Sequence, residues 1–287
     1  MSSLIEAGAR RWDTARGCVV ESATVPALFE ARGVTKRFGG LTALHGVDFA
    51  VDRGISSIIG PNGAGKTTLF NIFTGLYAAD EGSVTFRDQP LLGLRPDQIT
   101  ALGICRTFQN IRLFANMTAI ENVLVGMNAR ISLRLWDVLS RSPSFRRTES
   151  ELAARAVALL NRVGLQVSAN VVARNLPYGD RRRLELARAL ASEPALLLLD
   201  EPTAGMTQGE AGALMHLLRG LVADLGIAII LIEHNMRVVM EVSDRVTVLD
   251  HGEKIAEGPP RAVQSDARVI EAYLGKRGAG PRAKPRA

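Results

Sequence analysis

Short uncharged runs alternate with helix-like segments along most of the chain, and this alternation predicts an α/β fold. Residues 55–59 and 227–232 are rich in β-branched side chains and carry no charge, which is typical of strands buried on both faces. Further strands are predicted at residues 28–31, 47–51, 82–87, 195–199 and 245–249. Helices are predicted at residues 66–74, 97–102, 118–128, 148–163 and 209–224.

Residues from about 110 to 190 differ from this α/β body, because their pattern predicts helices and little strand. Residues 148–163 are amphipathic, with apolar positions at helical spacing. We therefore predict one α/β domain over residues 28–275, with a small antiparallel β layer near its start and a helical subdomain at about 110–190. Residues 1–27 and the basic residues 276–287 are predicted to be disordered extensions.

The composition is that of an ordinary globular protein, with 47% apolar and 22% charged residues in a chain of 287. No apolar run approaches the roughly 18 residues that a membrane-spanning helix needs. The net charge of +6 lies mostly in residues 276–287, so we expect no nucleic-acid partner. The two cysteines, Cys18 and Cys105, are too few for a disulfide framework or a cysteine metal cluster.

A glycine-rich segment between a predicted strand and a predicted helix carries the strongest chemical signal. It reads Gly60-Pro61-Asn62-Gly63-Ala64-Gly65-Lys66-Thr67 and fits the phosphate-loop pattern G-x-x-x-x-G-K-[ST]. Its glycines allow successive backbone N–H groups to face phosphate oxygens at the positive end of the helix. We expect Lys66 to reach the β- and γ-phosphates, Thr67 to bind Mg²⁺, and the phosphate contacts to extend to Thr68. The chain is therefore predicted to bind a nucleoside triphosphate.

Two acids follow a run of four leucines and form the second chemical signal. Asp200 and Glu201 come directly after residues 196–199, which form a predicted buried strand. Ligands of open α/β sheets bind at the carboxyl ends of such strands. We expect Asp200 to hold Mg²⁺ through its water shell and Glu201 to polarise an attacking water.

Taken in order, the landmarks along the chain resemble one family. They are Phe38, the phosphate loop, Gln109, the segment Leu176-Pro177-Tyr178-Gly179-Asp180, the pair Asp200-Glu201, and His234. This series resembles the ATP-binding subunit of ABC (ATP-binding cassette) transporters, over residues 28–274. The resemblance implies a P-loop NTPase core with a small antiparallel β layer and a helical subdomain. It also implies ATP and Mg²⁺ as ligands, and ATP hydrolysis coupled to transport.

The resemblance further implies roles for single residues. Phe38 is expected to stack on adenine, and Gln109 to touch Mg²⁺ and the attacking water. His234 is expected to contact the γ-phosphate and to orient Glu201. The expected catalytic residues are Glu201, His234, Lys66 and Gln109. The expected metal ligands are Thr67, Gln109 and Asp200.

The segment from Leu176 to Asp180 stands where the family has the signature L-S-G-G-Q, which acts on the ATP of a second subunit. Only Leu176 and Gly179 match that pattern, and Pro177 has no hydroxyl to donate. The helix N-terminus and the Gly179 backbone are expected to act in its place. A second departure is Thr207, which stands where an Asp is common. Both departures concern the site that this chain completes on its partner.

These departures and three other segments resemble one branch in particular, the larger ATPase subunit of branched-chain amino-acid importers. The segments are residues 107–114 (TFQNIRLF), 232–236 (IEHNM) and 271–275 (EAYLG), and the long helical stretch around Trp136 also fits. The branch implies a second ABC ATPase subunit, with a heterodimer expected and a homodimer also compatible. It implies separate transmembrane permeases and, indirectly, a periplasmic or extracellular solute-binding protein. The chain is then expected on the cytoplasmic face of the membrane as a peripheral subunit.

Three alternatives remain open at this point. The first keeps the fold and changes the cargo, as in a motor for an exporter or for a lipid or lipopolysaccharide extractor. The second is a soluble ABC protein that acts on DNA or ribosomes, although such proteins usually carry two cassettes or a long coiled coil. The third is a P-loop kinase or GTPase, which leaves the signature segment and His234 unexplained.

Overall fold

The computed structural model describes residues 10–13, 18–21, 27–127 and 143–274. The strands in this part of the chain, in order, are β1 Arg10–Asp13, β2 Cys18–Glu21, β3 Phe29–Phe38, β4 Leu41–Val51, β5 Ile55–Ile59, β6 Glu81–Phe86, β7 Gln89–Pro90, β8 Ile104–Arg106, β9 Leu196–Asp200, β10 Ala228–Ile232, β11 Arg245–Asp250 and β12 Glu253–Gly258. The helices are α1 Lys66–Phe73, α2 Pro96–Leu102, α3 Ala119–Met127, α4 Pro143–Arg162, α5 Tyr178–Leu190, α6 Gln208–Leu225, α7 Met236–Val242, α8 Pro260–Gln264 and α9 Ala267–Leu274.

The central sheet has the strand order β12-β11-β5-β10-β9-β8. All neighbours are parallel except β12, which runs antiparallel to β11. Strands β5, β9 and β10 are buried at every position, as their uncharged sequences predict. Their carboxyl ends lie at one edge of the sheet. The phosphate loop follows β5 at this edge, and Asp200 is the last residue of β9 there.

A second sheet is antiparallel and has the order β4-β3-β6-β7. It confirms the small β layer that the sequence predicts, although β3 and β4 are much longer than the apolar stretches at 28–31 and 47–51. Phe29, Phe49 and Phe86 from this sheet are buried against Phe73 of α1 or beside it in one core. The antiparallel sheet therefore packs against α1 and supports the phosphate loop that precedes this helix.

The helical part contains α3, α4 and α5, together with short 3₁₀ turns at Gln166–Ser168 and Ala173–Asn175. One core joins these helices to the central sheet, because Leu197 and Leu199 of β9 face it while Leu196 and Leu198 face the core around α1. This period-2 alternation along β9 gives each face of the sheet its own apolar layer. The helical subdomain is confirmed as part of the fold, and its limits at about 110–190 stay a prediction.

Several predictions about local structure need correction or fall outside the described residues. Helix α4 begins at Pro143, five residues before the predicted start, because proline is well tolerated in a first turn. Strands β1 and β2 pair within the segment predicted to be disordered. The rest of that extension, the stretch around Trp136 and residues 276–287 lie outside the described residues.

Candidate nucleotide site

The phosphate loop connects β5 to α1 as the motif predicts. A Cβ on Gly60 would lie 2.0 Å from the carbonyl oxygen of Leu249, and one on Gly65 would lie 2.7 Å from that of Ala43. Gly65 also has a φ of +97°, in the left-handed region that favours glycine. Helix α1 has no side-chain cap and no acid in its first turn, so its N–H groups can serve a phosphate.

Lys66 reaches back over the loop. Its ammonium donates hydrogen bonds to the carbonyl oxygens of Gly60 (2.7 Å) and Pro61 (2.8 Å). Burial lowers the pKa of Lys66, while the charges of Glu201 and Asp200 act in the opposite direction. Within the described residues the hydrogen bonds of this ammonium go to backbone carbonyl oxygens, so the cation remains suited to a highly charged anion.

Asp200 is the last residue of β9 and is only 5% exposed. It forms an ion pair with Arg106, whose Nη2 lies 2.8 Å from its Oδ2, and both side chains are almost fully buried. Arg106 also donates to Asn71 of α1 at 2.7 Å and to Thr74, the residue directly after α1, at 3.2 Å. The carboxylate is therefore fixed between β8 and α1. The sequence placed Asp200 at this edge but did not reveal Arg106, because a single arginine at the end of a short strand carries no distinctive pattern.

Two residues that the sequence singled out converge on the carboxylate of a third. Gln109 Nε2 donates to Glu201 Oε2 at 3.1 Å, and His234 Nδ1 lies 3.6 Å from the same oxygen. Glu201 has a φ of +47°, which is rare for a non-glycine residue and costs on the order of 1 kcal/mol. Such strain is often stored at functional sites, and here it turns Glu201 out of the strand direction at the sheet edge.

Phe38 lies at the end of β3 and is 43% exposed. Tyr77 packs edge-on against it with ring centroids 5.4 Å apart, and Lys36 lies 5.4 Å from its ring. An exposed aromatic face held by two neighbours can stack on a base. The sequence identified Phe38 through the family pattern, and nothing in the pattern pointed to Tyr77.

The signature segment leads into α5. Leu176 is buried, Pro177 occupies the N-cap position, and Tyr178 and Asp180 lie in the first turn. Gly179 is buried, since a Cβ there would lie 2.9 Å from Glu210 Oε1. The side chain of Pro177 has no hydrogen-bond acceptor, so it does not cap α5. The backbone N–H groups in the first turn of α5 are therefore not occupied by a side-chain cap.

Thr207, where the family commonly has Asp, is the N-cap of α6. Its hydroxyl accepts from the Glu210 N–H, and the Glu210 carboxylate accepts from the Thr207 N–H at 2.9 Å, which completes a capping box. Threonine can cap a helix as Asp does, so the departure preserves the local fold.

Glu233 is a residue that sequence reasoning missed. It is fully buried, and its carboxylate accepts hydrogen bonds from the N–H and hydroxyl groups of Thr203 and from the N–H groups of His234 and Asn235. A buried carboxylate with this many donors is well satisfied. It ties the loop after β9 to the turn that carries His234. The uncharged run before Glu233 was the only available signal.

The expected Mg²⁺ ligands Thr67, Gln109 and Asp200 offer hydroxyl, amide and carboxylate oxygens, the donor types that Mg²⁺ prefers. Among the described residues no three His, Cys, Asp or Glu side chains converge on a point that would hold a metal. This donor set suits an ion that takes its remaining ligands from water and phosphate oxygens, as Mg²⁺ does in nucleotide sites.

The family "ABC transporter" matches residues 44–204, more than half of the chain. The chain belongs to the ABC transporter family. A second family, "Branched-chain amino acid ATP-binding cassette transporter", matches residues 253–279.

Individual relatives of this ABC protein agree. The high-affinity branched-chain amino acid transport ATP-binding protein LivG of Escherichia coli K12 is 45% identical over 250 residues, covering 87% of this chain and 98% of LivG. A solved ATP-binding cassette in its ADP conformation has a TM-score of 0.76 at 31% identity, covering 88% of this chain and all of that one. A dimeric cassette bound to ADP and phosphate has a TM-score of 0.68 at 28% identity, covering 81% and 99%.

Family membership confirms the P-loop ABC ATPase fold, nucleotide binding and the assignment as an ATPase. The alternative of a P-loop kinase or GTPase is therefore wrong. No helix in the described residues is both long enough and apolar enough to cross a bilayer.

Proposed function

We propose that the chain is the ATP-hydrolysing motor subunit of an ABC importer for branched-chain or other hydrophobic amino acids. The observation that carries the hydrolytic part is the convergence of Gln109, Glu201 and His234 at the edge of the sheet where the phosphate loop begins. The likeness to LivG and the match at residues 253–279 support the cargo.

In this proposal ATP binds with its adenine on Phe38 and its phosphates in the loop from Gly60 to Thr68. Lys66 leaves the loop carbonyls and neutralises the β- and γ-phosphates. Glu201 accepts hydrogen bonding from the attacking water and increases its nucleophilicity, while Gln109 and His234 hold the Glu201 carboxylate. Mg²⁺, held through Thr67, Gln109 and Asp200, would supply charge neutralisation at the phosphates.

The site is proposed to be completed by a second ATPase subunit. The first turn of α5, with Pro177 and the Gly179 backbone, would face the γ-phosphate held by that partner, and the partner's signature would face the phosphate loop of this chain. A dimeric cassette among the solved relatives supports such a pairing. We propose a heterodimer with a sister subunit.

The permease contact is proposed at a cleft of about 290 Å³ between β8, α3 and α5. Phe114, Val125 and Arg188 line it, and Phe114 is 46% exposed. The cleft adjoins the Gln109 loop, so a permease helix seated there would feel movement of that loop. The subunit would then be peripheral, on the cytoplasmic face of the membrane.

The test is purification of the membrane complex through a tag on this chain, followed by reconstitution in liposomes. We expect two permeases and a second ATPase to co-purify, and ATP hydrolysis to rise when leucine, isoleucine or valine is supplied with the binding protein. Stimulation by lipid or lipopolysaccharide instead would identify an extractor or exporter. Recovery of the chain with ribosomes or DNA, and without permeases, would contradict a transport role.

A further inference from the structure

Tyr178, which replaces the first glycine of the common signature, makes contacts within its own subunit. Its hydroxyl donates to the carbonyl oxygen of Ala204 at 2.9 Å. Gly205 fits against its ring, because a Cβ there would lie 3.3 Å from Tyr178 Cε1. Ala204 and Gly205 belong to the loop that follows Glu201. Tyr178 of the signature segment is thereby attached to the loop that follows Glu201.

Arg182, one turn further along α5, attaches the same helix to the Gln109 loop. Its Nη2 lies 3.2 Å from the Tyr178 hydroxyl oxygen and also donates to the carbonyl oxygen of Gln109. Its Nη1 donates to the carbonyl oxygen of Phe108 at 3.0 Å and to Glu185 at 3.1 Å. The side chain is 4% exposed, so these bonds form away from water.

The path closes at the candidate catalytic centre, because Gln109 donates to Glu201. From the signature helix, one branch runs through Arg182 to Gln109 and the other through Tyr178 to the loop after Glu201. Both branches share the Tyr178 hydroxyl, which accepts from Arg182 while it donates to Ala204. A hydroxyl can make both bonds at once.

We propose that Tyr178 and Arg182 form a relay that couples the nucleotide site of this subunit to the signature helix it presents to its partner. Tyr178 is a positioning residue, and it acts through Ala204 and Arg182. The inference rests on the proposed function, since it takes Gln109 and Glu201 as the groups that respond to nucleotide. On this proposal Tyr178, which departs from the common signature, has a structural role within its own subunit.

The test is hydrogen–deuterium exchange of the full chain with and without Mg²⁺ and an ATP analogue with a β,γ-imido bridge. Exchange at residues 62–67 reports binding, and exchange at residues 178–183 reports the relay. In the wild type we expect the analogue to slow exchange in both segments. In Tyr178→Phe the loop response should persist, while the slowing at 178–183 shrinks by about five-fold, the factor that one ordinary hydrogen bond contributes.

The matched control is Arg183→Gln on the same helix. Arg183 Nη1 lies 4.0 Å from Asp180 Oδ1 of the same helix, so the substitution leaves the bonds of Tyr178 and Arg182 in place. It should behave as the wild type in both segments. Arg182→Lys, which keeps the charge and loses the forked donors, should act in the same direction as Tyr178→Phe. Thermal unfolding of Tyr178→Phe should match the wild type, because the residue is 41% exposed.

Each outcome decides one question. A signature response of wild-type size in Tyr178→Phe overturns the relay, and so does a wild type whose signature segment ignores the analogue. Slowing at 178–183 that increases with protein concentration over a ten-fold range arises from pairing of two chains and also contradicts a relay within one. A wild type whose loop itself does not respond contradicts nucleotide binding, and with it the proposed function.

Discussion

The two faces of this chain that are proposed to meet nucleotide differ in how they follow the family pattern. The phosphate-loop face keeps the common motif at every fixed position, and Gly60 and Gly65 lie where a side chain would collide with backbone. The signature face departs at three positions, Pro177, Tyr178 and Asp180. Yet its helix is bonded to the loops of Gln109 and Ala204. The loop face is thus constrained both by the phosphates it is proposed to bind and by the backbone around it, whereas the signature face is held by bonds to loops of its own subunit.

The largest expected effect lies at the catalytic carboxylate. Glu201→Gln should reduce steady-state ATP hydrolysis by at least about 100-fold and leave ATP binding intact, because an amide cannot accept the proton of the attacking water. The measurement pairs phosphate release with binding of a fluorescent nucleotide. Glu210→Gln is the control, since glutamine also completes a capping box at that position. Undiminished turnover in Glu201→Gln would contradict the role of this carboxylate.

The steric demand on the loop face can be separated from backbone strain by two alanine variants. Gly65→Ala and Gly63→Ala both place alanine at a positive φ, but only Gly65 has a backbone oxygen within 3 Å of the new Cβ. Gly65→Ala should therefore lower the free energy of unfolding by about 2 kcal/mol more than Gly63→Ala. Chemical denaturation without nucleotide measures this difference. Equal losses would mean that the loop relaxes around the extra methyl.

The adenine contact gives a smaller effect. Phe38→Ala should weaken ATP binding about ten-fold, since stacking of a base on an aromatic ring contributes roughly 1–3 kcal/mol. Phe38→Trp should retain wild-type affinity. Leu41→Ala, an exposed apolar residue on the next strand, provides the control for lost surface. Calorimetric titration with ATP measures all three, and unchanged affinity in Phe38→Ala would place the adenine elsewhere.

The smallest expected effect tests the signature face directly. Pro177→Ser restores the hydroxyl of the common signature at the N-cap position. In the assembled pair it should raise turnover at the partner's site about five-fold, corresponding to about 1 kcal/mol, and leave ATP affinity at this chain's own loop unchanged. Turnover is measured in a pair in which this chain also carries Glu201→Gln, so that ATP hydrolysis reports on the partner's site. A changed affinity at the loop would erase the distinction between the two faces.

The sequence predicted strands β5, β9, β10 and β11 of the central sheet and the phosphate loop, because buried parallel strands are mostly uncharged runs and the loop has a fixed spacing. It also brought Gln109, Glu201 and His234 to one site through the family pattern. It did not reveal the ion pair of Arg106 with Asp200 or the buried Glu233, since both depend on tertiary contacts between distant segments. Strands β7, β8 and β12 and helices α7 to α9 were likewise missed, as short elements carry weak periodicity.

We propose that this chain holds half of a hydrolytic site and needs a second ATPase subunit to complete it. The most direct measurement is the rate of ATP hydrolysis per molecule of this chain while the co-purified second ATPase, inactivated at its own catalytic carboxylate, is titrated in. We expect a low rate for this chain alone at dilute concentration, a saturable rise as the partner is added, and no rise for Glu201→Gln. A rate that is already high without the partner, and that does not change when the partner is added, would show that the site is complete within one subunit.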